Sequence, residues 1–234
     1  MVALPPEDPI IEALEPSMRQ ALAGLWEERA SSELKAGSGF ALLVTELFEV
    51  GAALRVLELA TRAAADEVRH ASLCRALAER YKGAPVPEPQ AKRVGMPSHP
   101  GAPRALLPHL HAVGLSCINE TLAAAFVRAC LQHAESPCVR AVQKAHLEDE
   151  IVHARIGWAH LATLDAATRA EVGRFVPRLL SANRRVWRER LGILPATGVP
   201  GHGIPPRAEL HAVVDATLDE VIAPGFAHVN VPVA

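Results

Sequence analysis

Proline and glycine divide this chain into two long helical regions. Residues 17–81 repeat Leu, Val and Ala at steps of three and four, and Gly51 marks a turn within them. Residues 82–108 are dense in Pro and Gly, which regular elements do not tolerate. Helical sequence returns over residues 109–164, where Ser136 and Pro137 are typical of a helix start. The sequence therefore predicts two antiparallel helical hairpins joined by a long crossover, which is one form of four-helix bundle.

Length and composition favour an all-α fold with one main core. The chain has 234 residues, 50% of them hydrophobic and only 4% aromatic, and Ala and Leu dominate. Beyond the bundle, we predict a helix from Asp165 to about Leu191, a Gly/Pro-rich loop, and a short helix ending near Ile222. We therefore expect residues 1–164 to form the bundle with an N-terminal extension. Residues 165–234 are expected to form additional C-terminal helices packed on the same domain.

Charge, the N-terminal segment and cysteine usage exclude several classes of protein. A net charge of -2 argues against a nucleic-acid partner. Residues 1–18 lack Lys and Arg and do not resemble a signal peptide, and we find no run long and apolar enough to span a membrane. The four cysteines form no C-x-x-C pair and indicate no disulfide framework. A cytoplasmic location is the expectation.

Two Glu-x-x-His motifs carry the chemistry. They are Glu67 with His70 and Glu150 with His153, and an aspartate precedes each glutamate although the chain has only six aspartates. One such motif alone is close to chance. Residues three apart lie on the same face of a helix, so each carboxylate and imidazole could bind one ion. The repeated Asp-Glu-x-x-His pattern indicates a metal site inside the bundle.

The first hairpin predicts a further ligand. Residues that face each other in an antiparallel pair of helices are equally far from the turn. Glu33 and Glu67 are equidistant from Val50, which lies beside the turn signal Gly51. Glu33 is therefore the predicted ligand on the first helix.

The second hairpin gives the same result. Glu120 and Glu150 are equidistant from Glu135, which lies beside the Ser136–Pro137 helix start. A bundle site of this kind uses one further Glu from each partner helix. Glu120 is therefore the predicted ligand on the third helix. The four carboxylates would balance the charge of two divalent ions, and carboxylate with imidazole suits iron or manganese.

This arrangement resembles the diiron-carboxylate proteins of the ferritin-like superfamily over roughly residues 21–160. The resemblance implies a ferritin-like four-helix bundle, two Fe ions (with Fe/Mn or Mn as alternatives) and O2 as co-substrate. It also implies that Asp66 orients His153 and that Asp149 orients His70. The implied metal ligands are Glu33, Glu67, His70, Glu120, Glu150 and His153.

A third histidine directs the choice within that superfamily. His146 precedes Glu150 by four residues and projects from the same face. An extra histidine at this offset resembles the pattern of diiron arylamine N-oxygenases, in which it binds one iron; a pocket or core histidine is the equal alternative. Gly37 and Gly39, close to Glu33, could leave space for a substrate or allow a close helix crossing.

We therefore predict a non-heme diiron oxygenase that oxidises a small organic molecule, with arylamine N-oxygenation as the preferred reaction. The alternative is a ferroxidase or peroxide-scavenging iron protein. Tyr81 is the only tyrosine and lies far along its helix from His70, which disfavours a tyrosyl-radical protein. Without paired C-x-x-C motifs the chain has no electron-transfer iron of its own, so an external electron donor is expected. A homodimer is compatible with the sequence.

Overall fold

The computed structural model describes residues 4–90 and 94–233. Residues 1–3 of the predicted N-terminal extension, 91–93 of the crossover and 234 of the appendage lie outside the described residues. Within the described ranges the fold is all-α, with eight helices and no strand. The helices are α1 (Pro9–Glu12), α2 (Pro16–Glu49), α3 (Leu54–Lys82), α4 (Arg104–Gln132), α5 (Pro137–Thr163), α6 (Ala166–Gly173), α7 (Val176–Gly192) and α8 (207–228).

Both predicted hairpin turns are present. Gly51 follows α2 with φ +64°, and the Ala52 N–H donates to the Leu47 carbonyl at 3.0 Å, so the left-handed residue closes the helix end. At the second turn, Ser136 is the N-cap of α5, because its Oγ accepts from the Val139 N–H at 3.2 Å. Pro137 occupies the first turn of that helix, as predicted.

The two hairpins pack so that α3 and α5 run antiparallel at the centre. Asp66 lies against His153 and Asp149 lies against His70, so residue numbers rise along one helix as they fall along the other. One apolar cluster, which includes Phe40, Leu43, Val56 and Ile156, lies toward the α2–α3 turn. A second cluster, which includes Leu22, Trp26, Tyr81 and Val142, lies toward the opposite end. The predicted ligands fall between these clusters along the helices.

Helix α4 is not a regular α-helix. It begins with a 3-10 turn at Arg104–Leu106, and the segment Val113–Glu120 is a π-helix. Within this segment Ser116 Oγ donates to the His153 carbonyl at 2.5 Å and accepts from the Gly157 N–H at 2.8 Å. These bonds fix α4 against α5 beside the predicted ligands.

By length and hydropathy alone, α4 could also span a membrane, so the expectation that no run does so was wrong. Of its most apolar window, 61% is buried inside the protein. The helix is apolar on several sides because it packs against both α5 and the C-terminal helices.

The C-terminal appendage departs from the predicted boundaries. The single helix expected from Asp165 to about Leu191 is two helices, because α6 ends at Gly173 and α7 begins at Val176 with Pro177 in its first turn. Asp165 does cap α6, accepting from the Thr168 N–H at 2.8 Å. The last helix does not end near Ile222; it passes through a π segment at Thr217–Ile222 and ends at His228.

The appendage shares a hydrophobic core with α4. This core joins residues of α4 and α5 to residues of α6, α7 and α8. Its larger members are Leu110, Ile118, Leu122, Leu161, Val176, Trp187, Leu210 and Phe226.

Candidate metal centre

The structure brings all six predicted core ligands together. Two groups of four residues each offer one ligand atom, and the four atoms in each group lie within 4.8 Å of one another. Glu67 and Glu150 belong to both groups. The first group adds Glu33 and His70, and the second adds Glu120 and His153. Two shared carboxylates and two outer Glu–His pairs are what a pair of adjacent metal ions requires.

The polar atoms at the centre are buried and lack hydrogen bonds among the described residues. They are both carboxylate oxygens of Glu67, Oε2 of Glu150, and Nδ1 of His70 and His153. His153 Nδ1 lies 3.1 Å from Glu67 Oε1 and 3.4 Å from Glu150 Oε2, while His70 Nδ1 lies 3.5 Å from Glu67 Oε2. Buried polar groups are normally satisfied, and metal ions would satisfy all of these atoms at once. The residues therefore fit a two-metal site.

Each histidine predicted as a ligand lies within hydrogen-bond distance of an aspartate from the opposite motif. His70 Nε2 lies 3.1 Å from Asp149 Oδ2, and His153 Nε2 lies 3.3 Å from Asp66 Oδ2. Both hydrogen bonds were expected from the resemblance. Because Nε2 of each ring faces a carboxylate, Nδ1 faces the centre, and it could bind a metal ion there once it has lost its proton.

Two arginines hold the aspartates in place, and sequence reasoning did not identify them. Arg69 donates to both Asp66 and Asp149, and Arg62 pairs with Asp66 at 3.3 Å. Arg69 occupies the position immediately before His70, so it points away from the ligand face. The motif could have revealed it only if the position between Glu and His had been considered for a second role.

Burial and mutual repulsion shape the charges of the metal-free centre. Burial raises the pKa of Glu67, and burial together with the neighbouring Glu150 raises the pKa of Glu120 well above its usual value. Burial alone would lower the pKa of His70, but its hydrogen bond to Asp149 and the nearby carboxylate of Glu67 raise it to about 10. The pKa of His153 rises to about 11, since the nearby carboxylates of Glu150 and Glu67 likewise outweigh burial. The centre therefore attracts positive charge.

His146 lies beside this centre and outside both groups of four. Its closest possible metal partners are Glu33 and Cys74. Its Nδ1 accepts a hydrogen bond from Arg29 Nη2 at 2.9 Å, because a guanidinium can only donate. Burial, followed by the positive charge of Arg29, lowers the pKa of His146 well below its ordinary value. His146 is thus a neutral, buried neighbour whose ring centre lies 4.2 Å from that of His70.

Each outer carboxylate has one oxygen held by a donor that sequence reasoning missed. Arg29 Nε donates to Glu33 Oε1 at 3.0 Å, and Asn119 Nδ2 donates to Glu120 Oε1 at 2.9 Å. Arg29 is one turn before Glu33 on the same helix, so the four-residue spacing was a usable signal. Asn119 is the sequence neighbour of Glu120, and neighbours on a regular helix do not face each other.

A cavity of about 1020 Å³ opens onto the carboxylates. Glu33, Glu67, Glu120 and Glu150 line it. Much of the remaining wall is apolar or aromatic, and includes Trp26, Met96, Leu115, Phe126, Leu179 and Trp187. Helix α7 forms one side of the cavity, so the appendage completes its wall.

The two glycines near Glu33 have different roles. A Cβ on Gly37 would lie 3.2 Å from the Cβ of Glu67, so Gly37 permits the close approach of α2 and α3. Gly39 lines the cavity, where its missing side chain leaves room. Of the two readings left open for these residues, the close crossing applies to Gly37 and the added space to Gly39.

Comparison of the chain with protein-family models gives no match, and comparisons with curated proteins and with solved structures give none either.

Proposed function

We propose that this protein is a non-heme diiron oxygenase with a ferritin-like four-helix bundle. One observation carries the proposal: two groups of ligand residues overlap at Glu67 and Glu150, with their unpartnered atoms buried at the bundle centre. In the proposed site, Glu67 and Glu150 would be shared by the two ions. Glu33 and His70 would help to hold one ion, and Glu120 and His153 would help to hold the other.

A pair of Fe ions, or Fe/Mn or Mn, would supply the redox chemistry that O2 activation needs. The residues of the chain would hold the metal ions and shield them from water. Asp66 and Asp149 keep both histidines in the ligating tautomer, and the apolar clusters on either side exclude water from the centre. Two electrons from an external donor and two protons balance the reaction, in which one oxygen atom of O2 enters the substrate and the other leaves as water.

The cavity favours an organic substrate over iron handling. Its volume of about 1020 Å³ is that of a small-molecule site, and its wall is rich in aromatic and aliphatic side chains. A ferroxidase needs only a polar path for iron. An aromatic amine fits this wall and could place its nitrogen near the carboxylates, so arylamine N-oxygenation remains our preferred reaction.

His146 enters the proposal as a neighbour of the Glu33 ion. To bind that ion through Nδ1, it would have to exchange its hydrogen bond with Arg29 for the metal. A cytoplasmic location and the absence of nucleic-acid and membrane partners belong to the same proposal, as does a homodimer. The four cysteines, which form no disulfide within the described part of the chain, accord with a reducing compartment.

The test begins with anaerobic loading of the metal-free protein with Fe(II) and counting of bound iron. We expect two iron ions per chain in the wild type and a strong loss of bound iron in Glu67→Gln. Glu58→Gln, on the exposed side of the same helix, is the matched control and should bind iron as the wild type does. The loaded protein is then reduced and exposed to 18O2 with a panel of arylamines. An N-oxygenated product carrying 18O supports the oxygenase.

Accumulation of ferric oxide without any oxygenated product would instead establish the ferroxidase alternative. Consumption of peroxide without product would point to scavenging. If the wild-type chain binds no metal, both proposals fail.

A further inference from the structure

A hydrogen-bonded chain connects the appendage to one outer ligand. The Trp187 Nε1–H on α7 donates to Asn119 Oδ1 at 3.2 Å, and Asn119 Nδ2 donates to Glu120 Oε1 at 2.9 Å. Trp187 is 5% exposed and Glu120 is 2% exposed. All three residues line the same cavity.

The chemistry of the three groups gives this chain a single direction. An indole nitrogen can only donate, and a carboxylate can only accept. The amide between them must therefore turn its oxygen toward Trp187 and its nitrogen toward Glu120. If the indole N–H is removed, the amide loses the partner that fixes its orientation.

The bond from Asn119 occupies only one oxygen of Glu120. Oε1 is held by the amide, which leaves Oε2 to serve as a single-atom ligand toward the group that contains His153. A carboxylate held in this way cannot rotate freely to place both oxygens on an ion. The orientation of the outer ligand is thus set by a residue that does not itself belong to either group of four.

Trp187 is held by its own surroundings. Its ring centroid lies 5.6 Å from that of Phe126, and Cζ of Arg190 lies over the Trp187 ring, 5.6 Å from the centroid. It also belongs to the core shared by α4 and the appendage. The position of α7 is therefore transmitted to the amide of Asn119.

We propose that Asn119 and Trp187 are positioning residues that set the geometry of Glu120, and that the appendage exists in part to complete one half of the metal centre. The inference rests on the proposed function, because it requires that Glu120 binds a metal ion. It assigns a role to residues 165–234 that the ligand set alone does not require.

The experiment titrates the metal-free full-length chain with Co(II) under anaerobic conditions, following both the ligand-field absorption and the heat of binding. Trp187→Phe removes the indole N–H and keeps an aromatic ring. Trp158→Phe is the matched control, since Trp158 packs against Phe226 in the same core and is not one of the three hydrogen-bonded residues described above. Asn119→Ala interrupts the same chain without altering the core.

Loss of an outer hydrogen-bond partner typically weakens metal binding by about tenfold or more. We expect Trp187→Phe and Asn119→Ala each to lower the affinity for one of the two Co(II) ions by about that factor and to change the absorption of that ion. The affinity for the other ion should stay as in the wild type. Trp158→Phe should bind both ions as the wild type does. The double variant should match Asn119→Ala, because the two residues act in series.

Unchanged affinity and absorption in both single variants, with two ions bound by the wild type, would overturn the inference and leave the proposed function standing. Additive losses in the double variant would also overturn it, since independent structural effects add. A wild-type chain that binds no metal would remove the proposed function itself, which is a distinct result.

Discussion

His70 and Asp149 belong to different Asp-Glu-x-x-His motifs, and the Nε2 of the histidine lies 3.1 Å from Oδ2 of the aspartate. Each motif thus supplies a predicted metal ligand and the hydrogen-bond partner of the other motif's predicted ligand. His153 and Asp66 repeat the relationship at 3.3 Å. In the proposed site the two motifs would therefore depend on each other through these aspartates.

Replacing Asp149 with Asn should weaken metal binding by about tenfold, because the neutral amide is a poorer acceptor for the His70 N–H and removes one of the two charged partners of Arg69. The measurement is Fe(II) or Co(II) affinity by titration. Asp219→Asn, on an exposed ion pair with Arg184, is the control and should not change it. Equal affinities in the two variants would contradict the orienting role.

The shared and outer carboxylates should differ in what they hold. Glu150 belongs to both groups of four residues, whereas Glu33 belongs to only one of these two groups. We expect Glu150→Gln to weaken the binding of both ions, whereas Glu33→Gln should weaken the binding of one ion and leave the other bound. Metal counting after dialysis against a weak chelator separates the outcomes, and identical stoichiometry in both variants would argue against the bridging arrangement.

Removing a buried carboxylate should stabilise the metal-free protein. Burial and the nearby Glu150 raise the pKa of Glu120, which shows that its charged form is disfavoured in the fold. Glu120→Gln should therefore raise the free energy of unfolding of the metal-free chain, by about 1 kcal/mol, while it impairs metal binding. Denaturant unfolding with and without metal tests both effects, and a destabilised metal-free variant would refute the charge argument.

Gly157 should not tolerate a side chain. An added Cβ would lie 2.6 Å from Cys117 Sγ and 2.7 Å from the Ala112 carbonyl oxygen. Gly157→Ala should cost about 1–3 kcal/mol by overpacking. Gly24→Ala is the matched control within helix α2, where nothing lies within 4 Å of the new methyl group, and it should instead stabilise by about 0.5–1 kcal/mol. Thermal unfolding that moved both variants in the same direction would be inconsistent with this packing.

The pair of His109 and His160 predicts a pH dependence of stability. Their Nδ1 and Nε2 atoms lie 2.8 Å apart, and burial, with His109 as a neighbour, lowers the pKa of His160 from 6.5 to about 4. Between pH 6.5 and about pH 4, His160 is therefore protonated in the unfolded chain but neutral in the folded chain. The free energy of unfolding is highest above pH 6.5 with respect to this group, and it falls by up to about 3 kcal/mol as the pH drops through this range.

The measurement for this pair is denaturant unfolding at a series of pH values, with the wild type compared with His160→Gln. The variant should show a smaller slope between pH 4 and 6.5 than the wild type. His133→Gln, which removes a half-exposed histidine that pairs with Glu209, is the control and should keep it. A slope in His160→Gln as steep as that of the wild type would contradict the role of His160.

The hairpins and the ligand set were predictable because they follow from local rules. Gly51 and Ser136 are turn and cap residues by their own chemistry, and counting outward from them led to Glu33 and Glu120. Because residues three apart lie on the same face of a helix, the sequence also predicted that Glu67 and His70 face the same site. The structure brings together all of the core ligands that this counting predicted.

The π segment, the partners of the outer carboxylates and the cavity were not predictable in this way. Asn119 meets Trp187 only because α7 folds back on α4, and no spacing along the chain encodes that contact. The break between α6 and α7 was missed because the helical pattern continues through Phe175, although Pro177 was a usable signal. Tertiary packing decides these features.

The two halves of the centre are related by an approximate twofold exchange of the hairpins, in which Glu33 takes the place of Glu120. The residues around the two carboxylates do not follow this symmetry, because the guanidinium of Arg29 donates to Glu33 whereas the neutral amide of Asn119 donates to Glu120. Two ions of the same element bound here would therefore be chemically distinguishable. A molecule in the cavity would accordingly face an electrostatically asymmetric pair of carboxylates, with a cationic partner behind Glu33 and a neutral one behind Glu120.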